Sequence, residues 1–123
     1  MIALAPRRPD TAGVKGQSVM QKLTVASALD QLKASNADYA RMIEHSSFDV
    51  GLYRPDKFDP QGPHRRDELY VIASGHGDFV CAGVVTSFAP GDVFFVPAQV
   101  EHRFSDFDDQ FSAWVIFIGP RPS

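Results

Sequence analysis

The chain contains a single cysteine, Cys81, three glutamates and four histidines. One cysteine excludes an internal disulfide framework, a Cys-rich zinc module and a redox mechanism that needs a resolving thiol. No excess of basic residues is present: 12 Lys+Arg stand against 15 Asp+Glu, a net charge of -3. A polyanion partner is therefore disfavoured, and no nucleic acid is expected. Apolar residues are 44% of the chain, yet no run nears the roughly 18 residues a membrane span needs. The longest, Trp114 to Ile118, suits a strand. These absences leave a small soluble domain, expected to be cytoplasmic and free of the membrane.

Residues 1–19 are broken by Pro6, Pro9, Gly13 and Gly16 and carry no apolar period. Pro6 and the Arg7-Arg8 pair interrupt any signal-peptide core. A flexible N-terminal extension is expected there, with Met20 a candidate natural start and residues 20–123 a single domain. Thr24 to Ser35 predicts the one helix, capped by Thr24 and stopped at Asn36. Val25, Ala28, Leu29 and Leu32 fall on one side of it.

From Tyr39 onward the pattern is short strands rich in Val, Ile, Phe and Tyr. They are expected at Tyr39–Glu44, Phe48–Arg54, Glu68–Ala73, Asp78–Cys81, Val84–Phe88, Asp92–Val96, His102–Phe107 and Ser112–Ile118. Proline, glycine and aspartate turns separate them, as in an antiparallel sandwich or barrel. Val93-Phe94-Phe95-Val96 is an apolar run instead of an alternation, which predicts a strand covered on both faces.

Two patches carry chemistry. Glu68, Tyr70 and Ile72 share one strand face, and His64 reaches that face from the preceding turn. His102 and Phe104 share a face of a later strand. If those strands are neighbours, two imidazoles and a carboxylate converge. That set suits Fe, Mn, Ni or Zn as a divalent ion with open positions. For His64 the plain alternative is a solvent-facing turn residue. For Glu68 it is an ion pair with Arg65, Arg66 or Arg103, and Asp67 competes with it as the inward residue. For His102 it is a rim hydrogen bond to Asp106 or Glu101. Gln61 is a possible fourth ligand, more often a turn hydrogen-bonder. Tyr70 is the candidate catalytic hydroxyl. His45 and His76 read as an edge residue and a solvated hairpin residue. Arg41, Arg54 and Arg103 are candidate cations for an anionic ligand, each more often a solvated strand residue.

At these residues the sequence resembles the cupin family. In the first motif, G(X)5HXH(X)3-4E(X)6G, His64 fits the second histidine, and Glu68 and Gly75 follow at the motif's intervals. In the second, G(X)5PXG(X)2H(X)3N, Gly91, Pro97 and His102 are in register. Gly62 replaces the first histidine, Gln99 the glycine of PXG, and Asp106 the final asparagine. The resemblance spans roughly Gly51 to Ile118 and is nearest to the small single-domain cupins. It implies an all-β double-stranded β-helix, a jelly-roll barrel with a short N-terminal helix. It also implies metal binding through His64, Glu68 and His102, and a small-molecule substrate or ligand. Isomerase, lyase and dioxygenase chemistries all fit, as does a non-catalytic or sensory barrel. A metal-free epimerase style would cast His64 as base and Tyr70 as acid. A homodimer through sheet contact is implied as well, with the apolar Trp114–Ile118 strand as the expected surface.

Overall fold

A computed structural model of the chain describes residues 19–122. The expected flexible extension lies outside the described residues, apart from Val19. Helix α1 is Val25–Ser35. The Thr24 hydroxyl accepts the Ser27 amide at 3.1 Å, and Asn36 ends the helix in the left-handed region. Ala28 and Leu32 are its buried residues, packed on Leu52 of the sheet beneath, with Met42 and Trp114 beside them.

Eight strands follow: β1 (Tyr39–Glu44), β2 (Phe48–Tyr53), β3 (Asp67–Ser74), β4 (Gly77–Cys81), β5 (Val84–Phe88), β6 (Val93–Val96), β7 (His102–Ser105) and β8 (Ser112–Ile118). They form a five-stranded sheet in the order β1-β2-β8-β3-β6 and a three-stranded sheet in the order β5-β4-β7. Every pairing is antiparallel. The fold is the expected all-β jelly roll with its short N-terminal helix.

Strict alternation places the site. Along β3, Glu68, Tyr70 and Ile72 are buried, while the residues between them are more exposed. Across the ladder they face Phe117, Val115 and Ala113 of β8. In the smaller sheet Phe79 pairs with Phe104 and Cys81 with His102. The inward faces meet in a core rich in aromatic rings, including Tyr70, Phe79, Phe88, Phe104 and Phe111. Gly75, at φ +85°, turns β3 toward β4 where a Cβ would lie 2.4 Å from the backbone of Phe111. Glycine is the residue that meets both demands.

Two expectations need correction. β6 is not covered on both faces: Val93 and Phe95 are 58% and 55% exposed, and only Phe94 and Val96 turn inward. The strand lies at the edge of its sheet, and α1 sits over the opposite end of the outer face. β7 stops at Ser105 because Asp106 adopts φ 50° and breaks the ladder.

Candidate metal centre

His64 lies in the connection between β2 and β3. Its carbonyl accepts the Gln99 amide at 2.7 Å, tying this connection to the turn before β7. The half-buried ring stands 5.1 Å from that of His102 and 5.3 Å, edge-on, from Phe117. Glu68 on β3 and His102 at the start of β7 are 1% and 2% exposed. Glu68 Oε1 is 2.8 Å from His102 Nε2 and 3.8 Å from His64 Nε2. One donor atom from each residue lies within 4.8 Å of the other two. The alternatives for Glu68 fall away, because Arg66 turns to Asp49 at 2.9 Å and exposed Asp67 accepts the Ala98 amide. His45 stacks on Phe48 and His76 is exposed at its hairpin, both away from the cluster.

Proton counting defines the chemistry. His102 Nδ1 lies 2.9 Å from the Val100 carbonyl, which only accepts, so Nδ1 carries the proton. While the ring is neutral, Nε2 presents a lone pair to Glu68; once the ring is charged, Nε2–H points at Glu68 Oε1, and that contact raises the His102 pKa against the effect of burial. Neither Glu68 oxygen receives a hydrogen bond, although both are buried. Gln61 donates its amide to Asp59 Oδ2 at 2.7 Å, which points its own Oε1 inward. That oxygen is 3.0 Å from His64 Nε2 and 2.9 Å from the Tyr70 hydroxyl, which is also 2.9 Å from His102 Nε2. Burial, reinforced by Glu68, pushes the Tyr70 phenol far up, so it stays protonated. Burial outweighs the pull of Glu68 and lowers His64, keeping its imidazole neutral. His64 Nε2 faces Gln61 Oε1, which only accepts, so it carries the His64 proton; with the His102 ring neutral, the Glu68 oxygens, Gln61 Oε1 and His102 Nε2 share that proton and the phenolic one. A buried carboxylate without a donor is costly. A divalent cation would relieve the deficit, and oxygen and imidazole donors without thiolate suit a first-row ion. The residues present therefore fit a metal.

Asp59 was invisible to the motif reading. It is 4% exposed and accepts from the Tyr53 hydroxyl, the Gln61 amides and the Phe104 amide of β7. Its available signal was an Asx turn, an aspartate two residues before the backbone N–H it binds. Arg54 and Arg103 lie away from the centre: Arg54 binds the Asp109 carbonyl, and Arg103 is exposed on β7.

The geometry has parallels. Residues 52–118 match the cupin domain. An uncharacterised protein of Streptomyces coelicolor is 34% identical over 101 residues, covering 77% of this chain and 96% of its own. Among solved structures, a cupin 2 conserved barrel domain protein from Salinispora arenicola superposes with a TM-score of 0.57 at 18% identity, over 65% of this chain and 73% of that one. KdgF from a Halomonas species gives 0.59 at 16%, over 69% and 79%. At such identities the structural likeness speaks for the fold. Family match and relative together establish that this chain belongs to the cupin family.

Proposed function

We propose that the protein is a divalent-metal-dependent enzyme acting on a small organic molecule. The observation that carries this reading is the buried Glu68 carboxylate, on which the imidazoles of His64 and His102 converge. His64, Glu68 and His102 hold the ion. Gln61 Oε1, steered by Asp59, supplies a neutral fourth donor in place of the histidine that Gly62 lacks. When bound, the ion supplies Lewis acidity toward a carbonyl or enediol oxygen. Tyr70 keeps its proton and offers it as a hydrogen bond to substrate beside the ligands. A cavity of ≈ 350 Å³ reaches His64, Gln61 and Tyr70, at the lower end of the roughly 300–1,000 Å³ typical of small-molecule sites.

The functional unit is a homodimer. Val93 and Phe95 stand out on the outer face of β6, and their ladder partners Val71 and Leu69 continue the apolar strip. The same strip on a second copy, related by a two-fold axis, is its natural cover. No helix among the described residues is long and apolar enough to cross a membrane.

Metal analysis after chelator-free purification, followed by a turnover screen with Fe, Mn, Ni and Zn, tests the reading. About one ion per chain, lost in His102→Ala, is expected. No ion, or an unchanged content in the variant, overturns it. Tight small-molecule binding without turnover would reassign the barrel to sensing.

A further inference from the structure

The cavity of ≈ 350 Å³ at the metal centre is chemically lopsided. Its polar atoms gather at the end held by His64, Gln61 and Tyr70, where they are turned on one another. Gln61 Oε1 faces His64 Nε2 at 3.0 Å and accepts the Tyr70 hydroxyl at 2.9 Å. The rest of the lining offers a ligand no spare hydrogen-bonding group. Pro60, Val115 and Phe117 carry none on their side chains, and the Tyr53 hydroxyl is committed to Asp59. The Tyr39 hydroxyl is met by the Arg41 guanidinium. Gly51, the ladder partner of Val115, gives the Tyr39 ring its place, since a Cβ there would come within 2.5 Å of it.

Charge is missing from this lining as well. Among the described residues no lysine, arginine, aspartate or glutamate lines the cavity. The guanidiniums close by are held elsewhere. Arg66, 4.8 Å from the centre of the Phe117 ring, is bound to buried Asp49 at 2.9 Å. Arg41 is shared between Glu44 and Asp49 at 3.2 and 3.7 Å. A phosphate or carboxylate in the body of the cavity would shed its hydration without meeting a counter-charge, and a polyol would leave hydroxyls unpaired. Hydrocarbon has no such cost and gains by leaving water.

We propose that the substrate is an uncharged, mainly apolar carbonyl compound, its oxygen at the metal centre and its hydrocarbon chain against Pro60, Val115 and Phe117. This rests on the metal-centre reading for the carbonyl end alone; selection of an uncharged apolar body follows from the walls. The probes are 2-pentanone, 2-hexanone and 2-heptanone, together with 6-oxoheptanoate, which carries a carboxylate in place of the terminal methyl of 2-heptanone. Each is titrated by ligand-observed NMR against the full chain, both EDTA-treated and Zn-loaded. Affinity is expected to rise about fourfold with each added methylene in both states. The carboxylate should weaken binding roughly tenfold relative to 2-heptanone. Val115→Thr, which adds a hydroxyl to the wall at nearly constant volume, should weaken 2-heptanone roughly fivefold. Its melting temperature shows whether it folds, and if it does not, the series on wild type still decides. Affinity independent of chain length, no binding of any ketone, 6-oxoheptanoate as tight as 2-heptanone, or a folded Val115→Thr that binds 2-heptanone like wild type overturns the proposal. Tighter 6-oxoheptanoate confined to Zn-loaded protein would put its carboxylate on the ion, sinking this inference and leaving the proposed function intact. Chain-length and charge preferences in a protein that retains no ion would do the reverse, keeping the selection by the walls.

Discussion

Replacing Glu68 with glutamine should change the sign of its effect on stability according to whether metal is present. In metal-free protein at mildly alkaline pH, a carboxylate oxygen faces the His102 Nε2 lone pair at 2.8 Å, and neither carboxylate oxygen accepts a hydrogen bond. Glutamine has nearly the same shape and can donate its amide N–H to Nε2. It thereby removes an unsatisfied buried charge and makes a neutral hydrogen bond, a gain of about 1–2 kcal/mol. For a domain of this size that is about 4–8 °C in melting temperature. With metal the order reverses. Wild type at a free metal concentration one hundred times its Kd gains about 2.7 kcal/mol, near 10 °C. Loss of a ligand weakens affinity by at least about 100-fold, the upper end of what even supporting residues cost. The variant then gains only about 0.4 kcal/mol at the same concentration. The gap in metal-free protein should also depend on pH. Burial lowers the His102 pKa, but the Glu68 carboxylate and the Val100 carbonyl together outweigh it and leave it raised. A raised imidazole pKa stabilises wild type in acid, fully so below the unfolded value. That contribution is lost as pH climbs through the folded value. The advantage of the variant therefore opens with rising pH. Differential scanning fluorimetry at several pH values, with EDTA and with Zn, reads all of this. A metal-free variant less stable than wild type at every pH, or equal metal shifts in both proteins, would refute the reasoning.

Three further outcomes are expected. Asp59→Asn should lower metal affinity by roughly 10–100-fold by releasing Gln61, and cost about 1–3 kcal/mol by weakening the hydrogen bonds Asp59 accepts from Tyr53, Gln61 and Phe104; isothermal titration and chemical denaturation read the two effects separately. If the proposed dimer forms through β6, Phe95→Glu should give a monomer in multi-angle light scattering where wild type gives a dimer, with metal content unchanged. Gln99→Gly should raise stability by up to about 1 kcal/mol, because Gln99 holds φ 69°, a left-handed conformation that costs a side chain roughly that much.

The last of these bears on how legible the chain was. Gln99 looked like a departure from the family motif, yet its backbone keeps the glycine-like conformation, and its amide binds His64. Motif spacing survived because it reports backbone geometry, which tertiary contacts enforce even when the side chain changes. Alternation placed Glu68, Tyr70 and Ile72 on one face, since a strand has a period of two and one face was buried. The apolar run Val93–Val96 misled because sequence cannot say whether a strand is central or at an edge. Edge position, set by the order β8-β3-β6, left Val93 and Phe95 outside. Asp59 was beyond reach for a different reason. It matters through a partner distant in the chain, the Phe104 amide of β7.

Asp59 also constrains traffic through the barrel. The connection bearing Gln61 and His64 is pinned to β2 through Tyr53 and to β7 through the Phe104 amide, both by one buried carboxylate. Lifting that connection would strand the carboxylate and open the edge of the smaller sheet, so it is a poor gate. Molecules should enter and leave past Tyr39 and Phe117, where only side-chain rotation is needed. Exchange at the centre would then run on the timescale of ring motion instead of backbone opening, and bulk at the mouth, more than loop flexibility, would set its rate.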